Sequence, residues 1–197
     1  MLDTQELGVL SRTLLHALRH APEQYYLEID ANGWTSIDQL LLALRYARPE
    51  WSALEVKDLR RIEGQGADRR FEIRGGRIRA LYGHSVAKVN PPENGKPPAT
   101  LYHGTTAEAL ILIRTDGVRP MGRRFVHWTA NLRYALDVAA AKGDQPALLG
   151  ITTNGAAARG VIFRKANDHV WLTDAIVPQL LTILRSQPNG RGPSGAA

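Results

Sequence analysis

The sequence predicts an α+β protein in two parts. Three observations predict it: three segments with helical leucine spacing come first, an arginine-rich hairpin signal follows them, and beyond a run containing four prolines the chain turns to short strands interleaved with helices.

Leu7, Leu10, Leu14 and Leu18 recur at spacings of three, four and four, which places one apolar stripe on a first helix. Asp3 with Glu6 forms a capping box at its start. Pro22 disfavours helical geometry at Ala21, so the helix should stop near His20. "DANGW" (30–34) reads as a turn. Ser36 reads as the N-cap of a second helix through "IDQLLLALRYA", and Ser52 as the N-cap of a third, "SALEVKDLRRIE" (52–63). "RRFEIRGGRIRALY" alternates on both sides of Gly75-Gly76, the strongest short hairpin signal in the chain. Three short helices followed by a basic hairpin make a winged-helix pattern, an architecture often used on nucleic acid, and it occupies residues 1–90.

"NPPENGKPPAT" cannot be a regular element, so residues 91–99 read as a linker. The second domain, 100–186, opens with the strand "TLYHG" and a capped helix, "TTAEALILIRTDG", ended by Gly117. "VHWT" follows as a strand and "NLRYALDVAAAKG" as a helix, with "ALLGITT", "GVIFRKA" and "HVWLTD" as further strands. The tail, 187–197, has no apolar periodicity and is expected to be disordered.

An apolar fraction of 44% in 197 residues is enough for real cores. No apolar stretch is long enough to cross a bilayer, and the start of the chain has no signal-peptide character, which predicts a cytoplasmic protein. Without cysteine there is no disulfide framework, thiol nucleophile or thiolate zinc site. The net charge of +6 suits a polyanionic partner. Residues 57–79 carry eight basic side chains against four acidic ones, a run whose bland reading is a solvated face.

The chain lacks a phosphate-loop or dinucleotide glycine fingerprint, an HExxH and the spaced carboxylates of a glycosidase. Arginine and histidine stand out instead in short, bounded motifs: Arg19-His20, Arg70-Phe71, "RALYGHS" (79–85), "YHGTT" (102–106) and "MGRRFVHWT" (121–129). Each has a structural alternative. Arg19 can complement a helix dipole, Arg70 and Arg79 can be wing charges, His84 can cap a segment, and His103 and His127 can be satisfied polar residues on strands.

In combination and order these motifs resemble the RNA 2′-phosphotransferase family over about residues 7–183. The matching parts are "LSRTLLHALRH", "DANGWTSIDQLL", "RRFEI", "RALYGHS", "LYHGT", "DGVRPMGRRFVHWT" and "NDHVWLT". The resemblance implies a winged-helix RNA lobe followed by an NAD+ lobe of ADP-ribosyltransferase-like fold. It implies an enzyme that removes an internal RNA 2′-phosphate, such as a splice junction leaves, and transfers it to NAD+. The phosphate first displaces nicotinamide, giving a 2′-phospho-ADP-ribosylated RNA. The ribose O2″ then attacks that phosphate, giving RNA with a 2′-OH and ADP-ribose 1″,2″-cyclic phosphate. No metal is implied. The expected partners are NAD+ and RNA, with no membrane and a monomeric state.

The family's catalytic set falls on Arg19, His20, Arg70 and Arg123. These residue types suit the chemistry, because arginines stay protonated and grip a phosphate bidentately while a histidine exchanges a proton near neutral pH. The NAD+ contacts implied are His103, Gly104, Thr105, His127, Thr129 and Val170. Glycine there allows close backbone approach, Thr105 offers donors at a helix start, and a valine where related transferases often carry glutamate does not repel an ionised nucleophile. Arg79, His84 and Ser85 are expected phosphate or RNA contacts.

Three departures stand out. Arg12 replaces the usual lysine, Tyr82 replaces a glutamine, and only Lys142 is basic where the family commonly has an arginine. Two alternatives remain: an ADP-ribosyltransferase that stops after one step on nucleic-acid ends or a protein, and a non-catalytic winged-helix binder.

Overall fold

The computed structural model describes residues 2–63 and 69–184. The chain forms two compact units. One comprises residues up to 93 together with 121–124 and 166–168, and the other comprises 94–120, 125–165 and the residues from 169 on. The predicted division treated each part as one continuous stretch, whereas two short segments of the later sequence belong to the first unit. The tail expected from 187 lies outside the described residues.

The first unit opens with α1 (Thr4–Arg19). The Asp3 carboxylate accepts from the Glu6 amide and the Glu6 carboxylate accepts from the Asp3 amide, both at 2.8 Å, which satisfies two of the donors a helix start leaves open. The helix ends at His20, whose amide donates to the His16 carbonyl. A 3-10 turn, Pro22–Tyr25, leads to β1 (Thr35–Ser36) and α2 (Ile37–Ala47), capped by Ser36. The third helix departs from expectation. It is α3 (Val56–Glu63), and Ser52 closes a preceding 3-10 turn, Pro49–Trp51, instead of capping it. The physical reason is local: the Glu55 amide donates to the Asp58 carboxylate at 3.1 Å, so the capping interaction forms three residues later than the serine suggests.

β2 (Phe71–Arg74) and β3 (Arg77–Ala80) pair from Phe71↔Ala80 to Arg74↔Arg77 across Gly75 and Gly76, both with positive φ. β1 adds to β3, giving an antiparallel order β1-β3-β2. Leu10, Leu14 and Leu18 of α1 pack with Leu40 and Leu44 of α2, Leu59 of α3 and Phe71 and Ile78 of the hairpin. Each leucine buried in this way stabilises the unit by about 1.5–3 kcal/mol.

The second unit contains β4 (Thr100–Thr106), α4 (Ala107–Asp116), β5 (Val126–Thr129), α5 (Leu132–Ala140), β6 (Pro146–Thr152), α6 (Thr153–Ala157), β7 (Arg164–Lys165), β8 (Val170–Thr173) and β9 (Leu181–Leu184). Its strands form an antiparallel sheet in the order β7-β8-β5-β4-β6-β9. Leu101, Trp128, Leu149, Ile151 and Trp171 make its core. Thr106, not Thr105, caps α4, accepting from the Ala109 amide at 3.2 Å. The proline-rich stretch is tied to this unit: the Gly95 amide donates to the Phe163 carbonyl, and Thr153 Oγ1 donates to the Pro98 carbonyl at 2.8 Å. No helix among the described residues is long and apolar enough to cross a membrane.

Candidate functional site

The first unit gathers cationic side chains from three places in the sequence. The last turn of α1 delivers Arg19, its C-cap is His20, the residue before β2 is Arg70, and segment 121–124 brings Arg123. Arg19 is held from several sides. Its guanidinium lies over the Tyr82 ring, 4.9 Å from the centroid, and one nitrogen reaches the Arg70 carbonyl at 3.4 Å. Gly83, at φ +87°, lies against the same guanidinium so closely that a Cβ there would be 3.2 Å from its carbon. Arg70 in turn donates to the hydroxyl of Ser11, a buried polar residue on α1, at 3.0 Å.

Electrostatics record the convergence. Burial brings the Arg19 guanidinium down to about 10; Tyr82 opposes that shift, while Arg123 and Arg70 add to it. The His20 ring is likewise lowered from its ordinary value, by burial and then by Arg19, His16 and Arg123. Among the described residues, carboxylates pair with Arg69, Arg77 and Arg79 but not with Arg19 or Arg70. No ion pair among the described residues offsets the charge of these two guanidiniums.

Other predicted residues serve this cluster indirectly. Ser85 Oγ stands 3.1 Å from His20 Nδ1 and donates to the Arg19 carbonyl at 3.5 Å, so it orients the histidine. His84 is pushed down to about 4, by burial first and then by Arg19, Arg124, His20 and Arg79, which keeps the ring neutral. Its carbonyl accepts from the Arg124 amide at 3.2 Å, and the Arg124 guanidinium donates to the Val89 carbonyl. Arg124 is therefore committed to backbone, while its neighbour Arg123 is exposed. Arg79 donates to Glu72 at 2.5 Å and stacks over Trp34 at 4.7 Å. Its charge is already paired within the hairpin.

In the second unit, β5 lies between β4 and β8, and Thr129 pairs with both Tyr102 and Val170. His103 Nδ1 is 2.7 Å from the His127 carbonyl, which only accepts, so Nδ1 carries the proton. The His103 ring also packs 5.6 Å from that of Trp128. Both histidines are partly exposed, whereas Thr105, Thr129 and Val170 are buried. Thr129 Oγ1 accepts from the Asn131 amide at 3.1 Å, beside the start of α5. Gly104 has a packing requirement: a Cβ there would lie 2.2 Å from the Ala135 carbonyl oxygen, so α5 can cross β4 only over a glycine. Lys142 Nζ donates to the Gly104 carbonyl at 2.6 Å.

Sequence reasoning passed over Ser11, His16 and the anchoring role of Lys142. Ser11 had a signal, since it is a hydroxyl on the buried leucine face of α1. Lys142 had none, because its partner is a backbone atom on a distant strand.

The first unit thus holds an arginine and histidine cluster whose charge suits an anion, and the second holds a six-stranded antiparallel sheet. A family model described as "RNA 2'-phosphotransferase, Tpt1 / KptA family" matches residues 5–175, and the chain belongs to that family. It is 41% identical over 167 residues to a protein of Acetivibrio thermocellus named "Probable RNA 2'-phosphotransferase", covering 85% of this chain and 91% of the relative. Proteins of the same name from Bacillus thuringiensis (39% over 174 residues, 88% and 94% covered) and Aeropyrum pernix (34% over 182 residues, 92% and 82% covered) are similar too.

Proposed function

We propose that this protein is an NAD+-dependent RNA 2′-phosphotransferase, with a winged-helix RNA lobe in its first unit and an ADP-ribosyltransferase-like NAD+ lobe in its second. The observation that carries the reading is the cluster of Arg19, Arg70 and Arg123 beside His20, in which, after burial, Arg123 and Arg70 make the Arg19 guanidinium harder to keep charged. A phosphate relieves that repulsion, and family membership supports RNA as its bearer.

The second unit's residues fit NAD+. The His103 ring is fixed in one tautomer by the His127 carbonyl, and the position of Val170 carries no carboxylate to repel an approaching phosphate. His103 and His127 would hold the dinucleotide, with Gly104, Thr105, Thr129 and Val170 shaping the strands around them. Bound NAD+ supplies an electrophilic ribose carbon that takes up the phosphate, and the two-step course yields RNA with a 2′-OH, nicotinamide and ADP-ribose 1″,2″-cyclic phosphate.

Within the first unit, Arg19 and Arg70 grip the phosphate and Arg123 adds charge from the exposed side. Their donors are in place before reaction, so little reorganisation is needed as charge shifts among the phosphate oxygens. The Ser85 hydroxyl donates to the Arg19 carbonyl and accepts from His20 Nδ1, which leaves Nε2 of the neutral ring free of a proton. That nitrogen would accept the proton of the ribose hydroxyl that attacks phosphorus and pass it to the RNA 2′-oxygen as its bond to phosphorus breaks, giving the 2′-OH.

The test is to incubate the protein with NAD+ and a short RNA bearing one internal 2′-phosphate. Loss of that phosphate with appearance of ADP-ribose cyclic phosphate is expected. No consumption of NAD+ would overturn the reading, and a stable ADP-ribosylated RNA would replace it with the one-step transferase.

A further inference from the structure

The first unit carries a groove of about 450 Å³, within the size range of small-ligand sites, that the phosphate cluster does not use. Gln24 and Tyr25 of the 3-10 turn and Tyr26 at its end line it together with Gln39, Leu42 and Tyr46 of α2. The helix therefore carries two stripes. Leu40, Leu41 and Leu44 face the core, while Leu42 and Tyr46 remain 68% and 84% exposed. Tyr26 is 86% exposed and holds φ +52°, the left-handed conformation with which it caps the 3-10 turn.

We propose that this groove binds the RNA strand flanking the 2′-phosphate, stacking an unpaired base on Tyr26 and Tyr46. The proposal rests on the reading of the Arg19 cluster as the seat of that phosphate. Continuity is the first argument. The His20 ring lies 6.0 Å from the His16 ring, the His16 ring lies 5.8 Å from the Tyr25 ring, and His16 Nδ1 is hydrogen-bonded to the Tyr25 hydroxyl at 3.2 Å. A run of aromatic and imidazole rings thus leads from the phosphate cluster into the groove.

Chemistry is the second argument. Exposed tyrosines offer flat faces to any base, and the two glutamines offer both donors and acceptors to base edges. None of the lining side chains is charged, so the groove does not repel a polyanion, and the cationic cluster beside it draws one in. A base splayed from a single strand meets these requirements, whereas a stacked duplex keeps its base faces hidden.

The test measures binding in the absence of NAD+, by fluorescence anisotropy of labelled RNA. A 2′-phosphorylated dinucleotide is compared with the same unit extended by several nucleotides on both sides. The wild-type protein is expected to bind the extended RNA about tenfold or more tightly, since stacking is worth one to two decades in affinity per base. The double variant Tyr26→Ala/Tyr46→Ala should lose that gain and keep the dinucleotide affinity, and Tyr26→Phe/Tyr46→Phe should retain both. On the wild-type protein itself, photocrosslinking of the extended RNA carrying 5-iodouridine should label Tyr26 or Tyr46.

No gain with length, a gain unchanged in the alanine variant, crosslinks only elsewhere, or a change of oligomeric state in that variant would each overturn the proposal. Because no turnover is measured, a protein that passes this test and leaves the 2′-phosphate in place would sink the proposed function and leave the groove assignment standing.

Discussion

His20 and Arg19, neighbours in sequence at the end of α1, are tied to one hydroxyl: Ser85 Oγ is 3.1 Å from His20 Nδ1 and 3.5 Å from the Arg19 carbonyl oxygen. The carbonyl can only accept, so the serine hydrogen points at it and the histidine proton points at the serine. Ser85→Ala removes the constraint on ring and tautomer. It is expected to lower kcat by about tenfold, the worth of one good hydrogen bond, with KM little changed. Ser85→Thr should recover most of the loss. A variant that changed KM alone would show Ser85 to be a substrate contact instead.

Arg123 acts on His20 through space. Its charge helps depress the His20 ring below the ordinary histidine value, so Arg123→Ala should raise that pKa towards 6.5. The measurement is a titration of the His20 ring protons by NMR, with and without the substitution. Arg123 is exposed, so the variant should unfold at the wild-type denaturant concentration while activity is lost. In the wild-type protein kcat/KM should fall on the acid side as pH drops through a value below 6.5, because protonation removes the base.

His84 should shape acid stability. Its folded value is about 4 against an ordinary 6.5, so between those pH values the unfolded chain binds a proton that the folded protein does not. Stability therefore falls as pH drops from 6.5 to 4, by up to roughly 3 kcal/mol from this one group. Urea unfolding across that range should show the decline, and His84→Gln should flatten it. An equally steep decline in the variant would move the cause to other groups.

Two glycines give contrasting outcomes. Gly83→Ala meets a positive φ and the Arg19 guanidinium at 3.2 Å, so it should cost about 1–2 kcal/mol and displace Arg19, with activity falling further than stability. Gly104→Ala meets the Ala135 carbonyl at 2.2 Å and the Ala139 nitrogen at 2.8 Å. Backbone cannot step aside, and the loss should be about 3 kcal/mol or more, read as unfolding of the second unit's sheet by circular dichroism.

What could be read from the sequence was what is decided locally. The capping box of Asp3 and Glu6, the leucine stripe, Ser36 and the Gly75-Gly76 hairpin depend on residues within a turn of one another, and each forms as expected. β1, two residues long, exists only because β3 lies beside it, and "GVIFRKA" is reduced to Arg164–Lys165 because pairing with β8 covers no more. The start of α3 was misplaced because a serine and an acidic capping residue compete and only the folded backbone decides between them. The candidate site divides in the same way. Arg19, His20, Arg70 and Arg123 could be named from motifs, but the groups that secure them, Ser11, Tyr82 and Ser85, are 59, 63 and 66 residues from their arginine partners in the chain. No local pattern carries that information.

The tetrapeptide 121–124 belongs to the first unit although residues on both sides of it belong to the second. A protein cut at the proline-rich stretch would leave the first fragment with Arg19, His20 and Arg70 and give Arg123 to the other. Neither half would inherit the whole cluster, so exchange of the part before the proline-rich stretch alone would break it up. The cluster is thereby spread over both sides of the proline-rich stretch, and only a chain that runs through it carries Arg19, His20, Arg70 and Arg123 together.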